Sequence, residues 1–254
     1  MSAIAMRENA FEPDAPVAAT RLSRLALGIA ALLAAIMAAW TFVRVAGDRP
    51  VERLLIEGEF RHVSADEVET IARPLVDTSF VDVKLDRLRA ELLALPWVAR
   101  VRAEREWPAT VRLRLWERVP AARWGEAALL DVDAVAFDPT GREVPSPLPR
   151  LSGPEGSAAA VLETYRQLSA RLAGTPFALE GLAQDARGDW TGYTVDGIAL
   201  RFGRGDPGAS LPVLLGPAAR ALAQDVARVA YVDLRYTNGF SVGWREPAAA
   251  TEGN

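Results

Sequence analysis

Residues 98–117, VARVRAEREWPATVRLRLWE, carry the pattern from which the rest of the fold can be read. Val98, Val101 and Ala103 alternate with Arg100, Arg102 and Glu104, and Val111, Leu113 and Leu115 alternate with Arg112, Arg114 and Trp116. Period-two alternation on either side of a Trp107-Pro108 break predicts a half-buried β-hairpin whose arginines form a solvated sheet face. On its N-terminal side Leu85, Leu88, Leu92 and Leu95 recur at helical spacing before Pro96, and Val68, Ile71, Ala72, Leu75 and Val76 make an earlier apolar stripe. Ser64 and Glu67 stand at the start of that stripe with the spacing of a capping box. Farther out, VERLLI at residues 51–56 reads as a strand ended by Gly58. A strand, two amphipathic helices and two strands predict a small α+β unit, residues 51–119, with both helices on one face of a three-stranded sheet.

Before this unit, residues 25–43, LALGIAALLAAIMAAWTFV, contain no charged side chain. At about 1.5 Å per residue such a run just crosses roughly 30 Å of hydrocarbon, so a single transmembrane helix is expected. Arg21 and Arg24 precede it, Arg44 follows it, and Trp40 lies near one end, where an indole favours the interface. The run exceeds the ~7 to 15 residues of a signal-peptide core, which favours a retained anchor over a cleaved signal. A short tail (residues 1–24) before a long domain predicts the N-terminus in the cytoplasm and the domain on the far side, with residues 44–50 as linker. Ala30, Ala34 and Ala38 form a small-residue row of the kind that lets another membrane helix approach.

After the unit, residues 120–246 predict a second mixed α/β domain dominated by an antiparallel sheet. Apolar runs at 127–130 and 134–137 lead to a turn at Asp138-Pro139-Thr140-Gly141, and Pro145, Pro147 and Pro149 mark an irregular crossing. Residues 158–172 carry Val161, Leu162, Tyr165, Leu168 and Leu172 at helical spacing. Strand-like runs at 190–195 and 198–202 meet at Asp196-Gly197, and a helical region at 211–229 is interrupted by Gly216-Pro217. Two last strands, 231–237 and 240–245, are expected across Asn238-Gly239, followed by a loose tail at 247–254.

Catalytic chemistry is poorly provided for. The 254 residues include no cysteine and one histidine, His62, expected on the surface, so neither a Cys-ligated metal site nor a histidine-based triad with a second such residue can be assembled. Gly239-Phe240-Ser241-Val242-Gly243 matches a G-x-S-x-G elbow, but no histidine follows it, and it reads as a returning strand. Asp131, Asp133 and Asp138 lack EF-hand spacing and are expected as solvated turn residues. Arg204-Gly205-Asp206 reads as a turn. A net charge of -4 argues against a nucleic-acid partner. We expect a non-enzyme with no cofactor, no metal and no small-molecule substrate.

Several stretches together resemble the FtsQ/DivIB cell-division family over nearly the whole chain. Leu95-Pro96-Trp97-Val98, Arg105-Glu106-Trp107-Pro108 and Glu117-Arg118-Val119-Pro120-Ala121 with Trp124 are similar to the second half of that family's POTRA domain and its exit. Leu200-Arg201-Phe202-Gly203-Arg204 and Val232-Asp233-Leu234-Arg235-Tyr236, with Gly239 and Val242-Gly243-Trp244, are similar to its later β-domain strands. The resemblance implies a single-pass inner-membrane protein of the division septum, a scaffold that receives an FtsB/FtsL-like complex at its C-terminal strand region. Carried over by position, Tyr236, Gly239, Phe240 and Trp244 fall on the partner-binding strand and Arg187 on the same surface. Other divisome members are implied at the POTRA domain and membrane helix. The alternative reading is a POTRA protein that handles substrates for secretion or outer-membrane assembly. Physics points to the same place as the resemblance, because a late hairpin strand left at a sheet edge offers unpaired N–H and C=O groups to an incoming strand.

Overall fold

The computed structural model describes residues 17–47, 49–237 and 239–246. Helix α1 (Val17–Gly47) contains the apolar span Ala26–Val45, and its side chains from 26 to 45 are exposed. The 20 residues of that span cover about 30 Å at the α-helical rise. The helix is longer than the expected 25–43 at both ends. It begins within the segment read as a tail, because alanine and arginine are good helix formers and nothing in 17–24 breaks the backbone ladder. Its described part runs to Gly47. Of the expected tails at 1–24 and 247–254, residues 1–16 and 247–254 lie outside the described residues.

The first domain is built from β1 (Arg53–Glu57), α2 (Ala65–Val76), α3 (Leu85–Leu93), β2 (Val98–Glu106) and β3 (Thr110–Glu117). Its sheet runs β1-β3-β2, with β1 parallel and β2 antiparallel to β3. Val68, Ala72, Val76, Leu88 and Leu92 of the helices are buried in one cluster with Val98, Val101, Ala103, Val111, Leu113 and Leu115. The three-residue step from Val98 to Val101 is a register shift between Val98 and Arg100, which returns both valines to the core face. On the solvent face the Arg114 Nη2 lies 2.7 Å from Glu57, Arg112 lies between Glu57 and Glu106, and the Arg100 guanidinium sits 4.7 Å over Trp116. The Ser64 Oγ accepts the Glu67 amide at 3.1 Å, as a cap should, but the Glu67 carboxylate turns to Arg142 of the second domain at 2.9 Å.

The second domain contains β4 (Pro120–Trp124), β5 (Ala128–Asp131), β6 (Ala136–Phe137), β7 (Arg150–Ser152), α4 (Ala158–Leu172), β8 (Leu179–Gln184), β9 (Trp190–Thr194) and β10 (Ala199–Gly203). The short helices α5 (Leu211–Val213) and α6 (Ala219–Leu222) follow, then β11 (Val229–Asp233) and β12 (Ser241–Trp244). All nine strands form one sheet ordered β12-β11-β10-β9-β8-β7-β4-β5-β6. The pairs β4–β7, β7–β8 and β10–β11 are parallel and the other five antiparallel. A parallel pair needs a long crossover, and α4 supplies it between β7 and β8 as the helical segment 207–222 does between β10 and β11. Both crossovers pack into one core with Leu151, Leu182, Leu200, Val229 and Val232. At Gly216-Pro217 the helix widens into a π turn (Leu214–Ala218) rather than breaking, which accommodates the missing proline N–H.

The two domains meet around Trp97, which is 1% exposed. From the first domain His62 stacks on its indole at 3.7 Å and 8°. From the second, Phe137 meets it edge-on at 5.1 Å, and the indole Nε1–H donates to the Pro139 carbonyl at 3.0 Å. His62 is therefore half-buried, not a surface residue, because this stack and a 3.0 Å contact from Nδ1 to Glu117 hold it in the junction. Asp131 likewise departs from expectation. It is buried, pairs with Arg118 at 2.6 Å and accepts the amides of Asp133 and Val135, so it fixes a turn instead of facing water.

Glu117 closes the junction by accepting the amides of Arg61, His62 and Val63 at 2.9 to 3.1 Å. Burial pushes its carboxyl up, but the amides of Val63, His62 and Arg61 and the His62 ring outweigh burial and hold it below its ordinary 4.5. A depressed carboxyl contributes stability above the unfolded-state value and loses it as pH falls through the folded one. Acidification below about pH 4.5 is therefore expected to loosen this loop. Glu117→Gln is expected to cost about 2–4 kcal/mol at pH 7 and to flatten the acid limb, as read from urea midpoints at pH 7 and pH 4.

Candidate binding edge

Strand β12 ends the nine-stranded sheet, and among the described residues no strand pairs with its outer side. Its pairing with β11 is antiparallel, with Asp233 opposite Ser241, Val232 opposite Val242 and Tyr231 opposite Gly243. Two hydrogen bonds fix which main-chain groups face outward. The Leu234 amide donates to the Arg201 carbonyl at 2.8 Å, so even-numbered residues of β11 address β10 and Tyr231 and Asp233 address β12. The Arg245 amide donates to the Arg228 carbonyl at 2.7 Å, so Ser241 and Gly243 face β11. By alternation the N–H and C=O groups of Val242 and Trp244 point away from the sheet.

The edge is not flat or featureless. Val242 and Phe240 pack against the domain core, whereas Trp244 is 50% exposed, with the Arg228 guanidinium 5.7 Å from its ring. On the opposite face Tyr231 lies under Arg201 at 4.0 Å and across Gly243. A Cβ at residue 243 would stand 2.0 Å from the Tyr231 ring. Gly243→Ala is accordingly expected to displace that ring or strand β12, at about 1–3 kcal/mol, visible as a lowered thermal midpoint.

The expected hairpin is shorter than its sequence pattern. Strand β11 ends at Asp233, not residue 237, and β12 begins at Ser241, so residues 234–240 form a connection in which Asn238 lies outside the described residues. Asp233 causes the early ending. Its carboxylate accepts the Arg235 amide at 3.1 Å and grips the Arg235 guanidinium at 2.6 to 3.1 Å, turning the chain as it leaves the sheet. The Arg235 side chain, as chief cause, holds the Asp233 carboxyl below its ordinary value against the opposing effect of burial.

Tyr236, Gly239 and Phe240 therefore stand on the connection leading into β12, and Trp244 is the last residue of the strand. Tyr236 is 58% exposed. Arg187 belongs to the exposed turn between β8 and β9, where its amide donates to Asp185 at 2.8 Å. The register places that turn, the end of β10, the end of β11 and the start of β12 at one end of the sheet. Arg187, Tyr236, Gly239 and Phe240 share this end, while Trp244 occupies the other end of β12. Arg235 stands at the same end as Arg187 and Tyr236, with Asp189 contributing to the charge around it. Sequence reading passed over Arg235 as a site residue, although an Asp-x-Arg spacing at a strand end signals a side-chain-capped turn.

The described residues thus comprise one apolar N-terminal helix long enough to cross a membrane, a βααββ module and a strand-rich domain whose sheet ends at β12. The POTRA domain model of FtsQ type matches residues 49–118, and the model of the C-terminal region of the cell division protein FtsQ/DivIB matches residues 122–235. Cell division protein FtsQ of Thioalkalivibrio sp. (strain K90mix) is 34% identical, with 90% of this chain and 95% of that protein covered. FtsQ of Allochromatium vinosum is 34% identical over 89% of this chain and 90% of its own, and FtsQ of Escherichia coli K12 is 32% identical over 89% and 85%. The chain belongs to the FtsQ/DivIB family of cell division proteins.

Proposed function

We propose that this protein is a non-catalytic scaffold of the division septum that captures an FtsB/FtsL-like complex by strand addition to β12. In this reading α1 crosses the inner membrane once, the N-terminus is cytoplasmic, and both folded domains are periplasmic. The observation that carries the proposal is the free edge of β12, with the main-chain groups of Val242 and Trp244 turned outward. An incoming strand gains main-chain hydrogen bonds there, and Trp244 and Tyr236 offer the exposed aromatic surface that interface hot spots favour. Arg187 and Phe240 flank the entry to the strand and complete the proposed contact surface.

The parallel pairing of β1 with β3 supports a spacer role for the POTRA domain. The chain enters at the start of β1 and leaves at the end of β3, so entry and exit lie at opposite ends of the sheet. Eight residues of β3 span about 26 Å, which sets the second domain back from the anchor.

The test is binding of the full chain, reconstituted in lipid nanodiscs, to the soluble part of its FtsB-like partner. Wild type is compared with Tyr236→Ala and Trp244→Ala, with circular dichroism to confirm folding. Folded variants that bind more weakly by about tenfold or more support the assignment. Equal affinity in wild type and both variants moves the interface elsewhere, and absence of wild-type binding removes the proposed partner.

A further inference from the structure

The end of the POTRA domain that receives the chain from α1 carries an exposed apolar pair. Because β1 runs parallel to β3, the β2–β3 turn containing Trp107 lies beside the start of β1, and the amides of Glu52 and Arg53 both donate to the Ala109 carbonyl. The loop between α2 and α3 closes the same end: the Phe80 amide donates to the Arg49 carbonyl at 2.9 Å, and Pro50 bridges to Ser79. Only two peptide steps separate Gly47, the last residue of α1, from Arg49, about 7 Å at full extension. Whatever plane α1 emerges from, Phe80, Val81 and Trp107 are tethered within a short distance of it.

These residues are held in position. Phe80 is fully buried and braces Trp107 edge-on at 5.2 Å and 72°. The Arg105 guanidinium binds the carbonyls of Phe80, Val81 and Val83 and stiffens the loop. Trp107 is nonetheless 54% exposed and Val81 44% exposed. An indole fixed half out of a domain, next to a valine and a few ångströms of chain from a membrane helix, suits the bilayer interface, where an amphipathic ring is favourable. The neighbouring exposed charges are mixed, with Arg49, Arg53 and Lys84 beside Glu52, Asp82 and Asp86, so no anionic lipid is required.

We infer that Trp107 and Val81 form a membrane footing: they insert into the interfacial layer of the bilayer that α1 spans and fix the tilt of the POTRA domain upon it. This rests on α1 lying in the membrane. The cysteine-free sequence makes the test direct. Full-length chains carrying Val81→Cys, Trp107→Cys, Leu32→Cys or Val195→Cys are labelled with an environment-sensitive fluorophore in phosphatidylcholine vesicles containing headgroup-level quencher lipids. Labels at 81 and 107 are expected to show blue-shifted emission and strong quenching, while the label at 195, in the second domain, stays water-like. If 81 and 107 match 195 while 32 reports bilayer core, the footing is wrong and the anchor stands. If 32 also reports water, the anchor reading fails and the footing with it. Val81→Cys guards against any disturbance caused by replacing Trp107.

Discussion

Val242→Pro is expected to weaken binding of the proposed partner by on the order of 100-fold and to leave the domain folded. Residue 242 turns its N–H outward, because Ser241 and Gly243 take the bonds to β11. Proline removes that outward donor without touching the ladder to β11, and its ring occupies the space an incoming strand needs. Proline is tolerated on an edge strand for the same reason. Ser241→Pro provides the contrast. It removes an inward donor opposite Asp233, so it loosens β12 from its own sheet and lowers stability as well as binding. Titration of each folded variant against the FtsB-like partner, beside a thermal scan, separates the two effects.

Trp97→Ala is the largest expected loss of stability, about 3–5 kcal/mol, which lowers the thermal midpoint by roughly 10 °C. The indole is where the domains share a core. Its loss strips His62 of its stacking surface, Phe137 of its edge contact and Pro139 of a hydrogen-bond donor. Leu129 and Phe137 of the second domain belong to the same buried cluster as the first domain's helices, so the cavity opens into the joint itself. Calorimetry is expected to show the wild-type transition broadening or dividing, because the Arg118–Asp131 and Arg142–Glu67 pairs remain but no longer enclose a packed centre. A variant with an unchanged midpoint would mean that the joint is held by those ion pairs alone.

Local pattern carried much of the fold. Helix α4 occupies the residues its apolar spacing marked, 158–172, and the arginine-valine alternation of 98–117 became β2 and β3 with the valines inward. These elements bury one continuous face, so periodicity and packing agree. What eluded the sequence depends on partners far along the chain. Strands β6 and β7 have two and three residues, too few for any alternation, and exist because β5 and β4 offer them edges. A single sheet of nine strands follows from three parallel pairings that no local signal encodes. His62 reads as polar and solvent-facing until Trp97 and Glu117 arrive from elsewhere in the chain.

The candidate edge was half legible. The Asn238-Gly239 hairpin signal identified a final strand at 240–245, but it also implied a tight connection, whereas Asp233 ends β11 early by capturing Arg235. The proposed site residues consequently divide between the strand, the connection before it and, for Arg187, the β8–β9 turn. For the proposed strand addition, Trp244 would flank the paired strand, while Tyr236 and Phe240 would meet the partner only where it enters the sheet.

Amide hydrogen exchange at β12, in the full chain with and without the soluble FtsB-like partner, tests strand addition most directly. The amides of Gly243 and Ser241, already bonded to β11, are expected to be slow in both states, and those of Val242 and Trp244 fast alone and protected in the complex. Partner binding that leaves Val242 and Trp244 exchanging as fast as in the free chain would contradict strand addition at this edge.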